Sequence, residues 1–523
     1  MSNCNSKIAS RLSIAVLSKA FVVTALLLSL TVAAAAQTPA EIAAGSIPLV
    51  NGPSTAEQPG RFLLNTSGTT YAASNSAVKV TATISNHQYV GSNTGAGNPV
   101  LVFGAATTAG GSAPTSRPTY AAMNDIAAPA NSQFSNTADG TAGGIDVATN
   151  YAFNFFTSLR HWAGSTTPAT NSRRYMADLT FTFSVPLTDP LMQIVGLGGS
   201  TTNSGTLGFA TELDLVTPGV TLSKVHGNTA LAVSASQIRN NLASGIGASC
   251  STNVAACGTI KVTGANIQSL TFRVYIRGDG GIANWGSTSN HSGDQWLAAF
   301  SIPETYTLSG TVYNDLNGLG DDTVNGTGTG TPSGTQIYAN LVEPATGKVI
   351  GTTAVAANGA YSFQGIPKGS AVRVELSTSQ GTEYADAPAR ALPMGWFNKG
   401  ENVGAGAGHD GSPDGTVATT VSANVANVNF GINQVPTAAP LRLGGRVLIG
   451  GRAAGKVAVT VYDTVTMQMQ TTLTGSFGYF RFDNLPAGNF FIVTATDRRT
   501  GLTATKSLQL FEAREDLLID LGN

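Results

Sequence analysis

Charge is scarce in this 523-residue chain: Asp, Glu, Lys and Arg together make up 11 %, and the formal net charge is −1. No basic field exists to attract nucleic acid phosphates, and no polybasic patch to hold an anionic lipid surface, so nucleic acid is excluded as a partner. Histidine is rarer still, with 5 residues scattered at His87, His161, His226, His291 and His409. Neither a His-Glu-x-x-His zinc helix nor a Gly-x-Ser-x-Gly elbow occurs. These gaps leave no visible catalytic set and point to a protein that is not an enzyme. The competing class is a secreted polysaccharide-active enzyme, because its two acids need only stand about 5–10 Å apart, which no sequence spacing reveals.

Cysteine is equally sparse, with 3 residues. Cys250 and Cys257 lie within "CSTNVAAC", where an oxidising compartment favours a disulfide across one short loop and too few further ligands stand nearby for a metal. Long apolar runs are missing after the first one. Lys7, Arg11 and Lys19 precede "AFVVTALLLSLTVAAAA", which ends in small residues before Gln37. That order of charge, apolar stretch and small residues predicts a secretory signal peptide over residues 1–36. The expectation is a secreted, extracellular or cell-surface protein with no membrane span after signal removal. The last residues, "LLIDLGN", resemble neither a membrane tail nor a sortase signal, so any attachment to a cell is expected to come from elsewhere.

What is abundant is glycine, at 61 residues, amid Thr, Ser, Asn, Ala and Val. Short apolar runs alternate with turns, and the prediction is an all-β chain. "LTFTFSV" puts Leu179, Phe181, Phe183 and Val185 on one face of a strand; "LTFRVYI" does the same with Leu270, Phe272, Val274 and Ile276. With "LMQIVGL", "ELDLV" and "GTIKVTG" they predict a large sandwich or jelly roll over residues 37–305. A second sandwich is expected over 308–433 with a looped insert between Gly381 and Thr416, then a linker over 434–440 and a third sandwich over 441–523.

The last two units share a phrase. "GAYSFQGIPKG" begins at Gly359 and "GYFRFDNLPAG" at Gly478. Tyr361 and Phe363, like Phe480 and Phe482, are expected to point from a strand into a core. Ile366-Pro367 and Leu485-Pro486 are expected to break the ladder before a turn at Gly369 or Gly488. Each unit also opens on a Gly-x-Val strand, Gly310 with Val312 and Gly445 with Val447.

This combination is similar to the prealbumin-like and Cna B-type sandwiches of bacterial surface proteins. Residues 308–433, with "GTVYNDLNGLGDD" and "VNFGIN", resemble the B-type repeats of staphylococcal Ser-Asp-repeat adhesins, and 441–523 resemble the carboxypeptidase regulatory-like domain. The stretch "FTFSVPLTDPLMQIVGLGG" resembles the lectin-like adhesive domain of streptococcal fibrillar adhesins. The resemblance implies an adhesin-like protein whose first domain binds an extracellular glycan or matrix protein on a stalk of sandwich modules. It also implies calcium at Asp315, Asn317, Asp321 and Asp322, whose hard oxygens suit that ion, although the loop is shorter than the family pattern. The Lys-Asn isopeptide of Cna B-type domains is not expected, because "LSGTVYN" and "LGGRVLI" contain no Lys.

For the first domain the densest polar and aromatic segment is "RGDGGIANWGSTSNHSGDQWLAAF", which opens on an Arg277-Gly278-Asp279 tripeptide. Asp279, Trp285, Asn290, His291, Asp294 and Trp296 are candidates to line a sugar or metal pocket, with aromatic faces against sugar rings and carboxylates on hydroxyls. The competing reading is a Gly-rich hairpin loop with Trp296 in the core.

Overall fold

Alternation dominates the strands of the first sandwich. Leu179, Phe181, Phe183 and Val185 are buried, as are Leu270, Phe272, Val274 and Ile276, and the two strands pair antiparallel with Leu179 opposite Phe272 and Phe181 opposite Leu270. In this computed structural model, residues 38–47, 49–90, 99–111, 113–434 and 441–522 are described. The expected signal peptide and residues 435–440 of the expected linker lie outside them. Among the described residues the fold is all-β, and no helix is long and apolar enough to cross a membrane.

Ten strands form one sheet of the first sandwich and eight the other. The strand Gly293–Ile302 lies inside the larger sheet, pairing with Ala40–Glu41, Leu191–Leu197 and Tyr151–Ser158. Aromatic rings fill the space between the sheets: Phe155 stacks on Trp296 at 4.3 Å, and Phe181 meets Phe300 edge-on at 4.8 Å.

Only Pro303 and Glu304 separate Ile302 from Thr305, where the first strand of the second sandwich begins. Such a junction is too short to act as a flexible linker, and the two cores form one continuous apolar cluster. Arg61 closes the seam with a bidentate bond to Glu383 at 2.8 and 3.1 Å, and Asn75 bonds Ser362 and Gln364 across it.

The second sandwich has sheets of five and four strands, the third two sheets of four. Both repeat one pairing scheme. The opening strand runs antiparallel to the phrase strand and parallel to the closing one: Thr305–Asn314 lies between Ala360–Pro367 and Val428–Gln434, and Leu441–Ile449 between Tyr479–Leu485 and Arg514–Asp520. Gly310 faces Tyr361 and Gly445 faces Phe480. A Cβ at either glycine would collide with a carbonyl of the closing strand, Val428 or Leu517, so the residue is glycine because a third backbone passes there. Tyr361, Phe363, Phe480 and Phe482 are buried as the phrase predicts.

Two expectations change. Ile366-Pro367 do not break the ladder, since Ile366 pairs with Tyr306 and Pro367 with Thr305; a register shift between Tyr306 and Leu308 absorbs the irregularity. In the third sandwich the ladder does end there: the strand stops at Leu485, Pro486 lies outside it, and Ala487-Gly488 make the turn. The insert expected between Gly381 and Thr416 is not all loop either. Its Trp396–Val403 segment is a strand paired with Val428–Gln434.

The core of the third sandwich is a separate cluster centred on Phe480, Phe482, Phe491 and Val493. Phe482→Ala is therefore expected to remove about 3–5 kcal/mol from that module alone. Calorimetry on the full chain checks this: one transition falls and the rest hold, whereas a uniform drop would show that the modules unfold together.

Candidate functional site

The six residues expected to line a pocket in the segment after Arg277 do not converge on one. Trp296 is fully buried in the main core, and Trp285 in a different cluster with Trp162, its indole N–H donating to Pro168 O at 2.6 Å. Neither indole face is open to a sugar, which corrects the stacking expectation. Asp294 is buried and accepts from the amides of Gly198 at 3.1 Å and Thr211 at 2.6 Å. His291 is buried with Nε2 3.0 Å from Ser158 Oγ, and Asn290 accepts from Gly110 N at 3.0 Å. Asp279 accepts from the amides of Gly208, Gly245, Ile246 and Gly281. These groups fasten loops to strands, which explains why polar residues crowd that segment.

Cys250 and Cys257 are joined, with Cα atoms 5.8 Å apart. The bond closes a loop whose carbonyls at Cys250 and Ala255 accept from Asn228 Nδ2.

At the predicted calcium loop the four residues share no single centre, although the Asn317 side chain turns to Asp321. Asp321 accepts from Asn325 Nδ2 and the Thr323 amide, and Asp322 lies 3.4 Å from His409. Asp315 is fully buried, with the backbone amides of Asn325, Gly318 and Asn317 turned to its carboxylate, where they favour the charged form. Burial raises its pKa, and Asp321 adds to the shift. Among the described residues no three acidic, His or Cys side chains gather around one point there.

A site that the sequence reading missed sits on the outer face of the eight-stranded sheet. The inner residues of Thr206–Leu215 and Ile267–Gly278 enter the core, so Glu212, Asp214 and Arg277 face out. Arg173 lies directly opposite Arg277 across the ladder. Between the two guanidinium groups stands Glu212, its side chain only 4 % exposed: Oε2 accepts from Arg173 Nε at 2.6 Å and Oε1 from Arg277 Nε at 2.7 Å. Asp214 takes the other edge of Arg173 at 2.5 and 2.6 Å, and the same guanidinium lies 3.7 Å over the Tyr275 ring. Arg277 Nη2 donates to the carbonyls of Asn240 and Leu242 at 3.1 and 3.2 Å, tying the sheet to the loop beyond Gln237–Asn240.

Together these groups floor a polar cavity of about 360 Å³, with Gln237, Arg239 and Asn241 on its wall. Asp279 helps to fix that wall through Gly245 and Ile246, so of the expected tripeptide, Arg277 lines the cavity and Asp279 positions its loop. "ELDLV" did carry a signal, because acids two residues apart between buried leucines must share the outer face. The two arginines came from two other strands, Arg173 from 39 positions upstream of Glu212 and Arg277 from 65 positions downstream, and only pairing brings them there.

Burial pushes the Asp294 carboxyl up to about 7, outweighing the Thr211 and Gly198 amides that favour its charged form. A carboxyl with a folded pKa above its unfolded value of about 3.9 contributes stability that is complete below that value and is lost as pH rises through about 7. The stability gap between the wild type and Asp294→Asn is therefore expected to narrow from pH 4.5 to pH 7.5 in denaturant titrations. Parallel curves would show that Asp294 does not titrate in that window.

No known protein family and no curated protein matches this sequence. Among solved structures, a streptococcal ancillary pilin is 10 % identical with a TM-score of 0.19, the match covering 41 % of this chain and 62 % of that one. The Bacillus anthracis TIE protein is 10 % identical with a TM-score of 0.16, over 71 % of this chain and 57 % of that one. A putative cell adhesion protein from Bacteroides ovatus is 10 % identical with a TM-score of 0.16, over 42 % of this chain and 93 % of that one. Likeness at this level assigns no function to the chain, which spans less than two thirds of the first two.

Proposed function

We propose that this is a secreted, adhesin-like surface protein whose first sandwich recognises a polar extracellular ligand in the Arg173–Glu212–Arg277 cavity, carried on the two following sandwiches. The observation that carries this reading is the cavity itself, whose floor is held rigid by ion pairs before any ligand arrives. Both Glu212 oxygens accept from guanidinium groups, which supports a binding surface already assembled before a ligand arrives. The continuous core across the first two sandwiches supports a stiff mount for the recognition surface.

The test is a screen of the full secreted chain on glycan and matrix-protein arrays, beside incubation with a polysaccharide panel. Retention without new reducing ends is expected, and Glu212→Gln is expected to weaken retention about tenfold or more by releasing one of the two arginines. New reducing ends would overturn the reading in favour of an enzyme.

For the second sandwich we propose calcium at the loop of Asp315, Asn317, Asp321 and Asp322, supported by the hard carboxylate and amide oxygens these residues bring to one short turn. Calcium is expected to raise the melting temperature of the wild type but not of Asp315→Asn; superimposable curves with calcium and with chelator would end the idea.

A further inference from the structure

Charges in the cavity do not cancel. Arg173 is held by Glu212 and Asp214, and Arg277 by Glu212 and the carbonyls of Asn240, Leu242 and Gly278. Arg239 makes no ion pair or side-chain hydrogen bond with any described residue, and the strand that bears it alternates strictly: Ile238 and Asn240 are buried, Arg239 is exposed. The amide heads of Gln237 and Asn241, beside it on the same wall, bond no described residue either. Three polar groups without partners among the described residues thus ring a cavity whose remaining polar groups are fixed, and three cations stand there against two anions.

We propose that the cavity takes an acidic saccharide, its carboxylate held by Arg239 and its hydroxyls by Gln237 and Asn241. This rests on the recognition reading above and names the ligand class. A guanidinium presents parallel N–H groups that match a carboxylate, and an amide both donates and accepts, as a hydroxyl requires. A cavity of about 360 Å³ admits one or two sugar rings. Its carbon-rich lining is limited to Leu242 and Ala243, with no aromatic wall, which suits a hydroxyl-covered ligand better than an apolar peptide side chain.

The experiment titrates the full chain with acidic oligosaccharides, uronate- and sialate-bearing, each paired with its methyl ester, which keeps the rings and removes the charge. The acid forms are expected to bind at least tenfold more tightly than the esters, with an advantage that shrinks as salt rises. Arg239→Gln is expected to abolish that preference and Arg239→Lys to restore part of it, both with unchanged melting curves because Arg239 supports nothing in the fold. Equal binding of acid and ester, or an unaltered preference in Arg239→Gln, would overturn the acidic-ligand proposal and leave the recognition reading standing. Capture of neutral glycans or of acidic peptides in place of acidic glycans would do the same. Absence of every ligand across the panel and the arrays would remove both.

Discussion

The strand Gly293–Ile302 constrains most of what surrounds it. It pairs with three strands of the larger sheet, sends Trp296 and Phe300 into the first core, and after two residues continues as the opening strand of the second sandwich. Backbone groups buried on both sides of such a strand have no water to turn to, so its register is fixed by the full set of ladder bonds. The seam between the sandwiches inherits that rigidity. Any force or ligand acting on the first unit is therefore borne by a continuous β-core, whereas the third sandwich keeps a core of its own.

Against a background so poor in charge, the outer face of the smaller large-domain sheet stands out. Glu212 is nearly withdrawn from solvent, and a lone carboxylate there would cost several kcal/mol. Two arginines on one ladder row satisfy it, and a third carboxylate-facing bond set from Asp214 completes Arg173. The group is a fixed frame, and the freedom that remains belongs to the wall residues, Gln237, Arg239 and Asn241.

Much of the fold was legible in the sequence. Period-two alternation at Leu179–Val185 and Leu270–Ile276 identified inner faces, and the repeated phrase at Gly359 and Gly478 located equivalent strands of two related modules. The site was legible only in fragments. Local density of polar and aromatic residues drew attention to Trp285, Asp294 and Trp296, yet density near a Gly-rich turn is also what loop anchoring requires, and the structure uses Trp285 and Asp294 for that while Trp296 packs in the core. Arg277 was noticed for its tripeptide, although its role comes from Glu212, which lies 65 positions away in the chain.

By itself the sequence determined which residues must be hidden and where backbone must crowd. Alternation and glycine placement are local consequences of strand geometry, as Gly310 and Gly445 show. Tertiary structure alone decided which outward-facing charges would become neighbours. Strand order and register are set by packing across the whole core, so whether Arg173 meets Arg277, and whether Arg239 is left without a partner among the described residues, could not be read from any stretch of the chain.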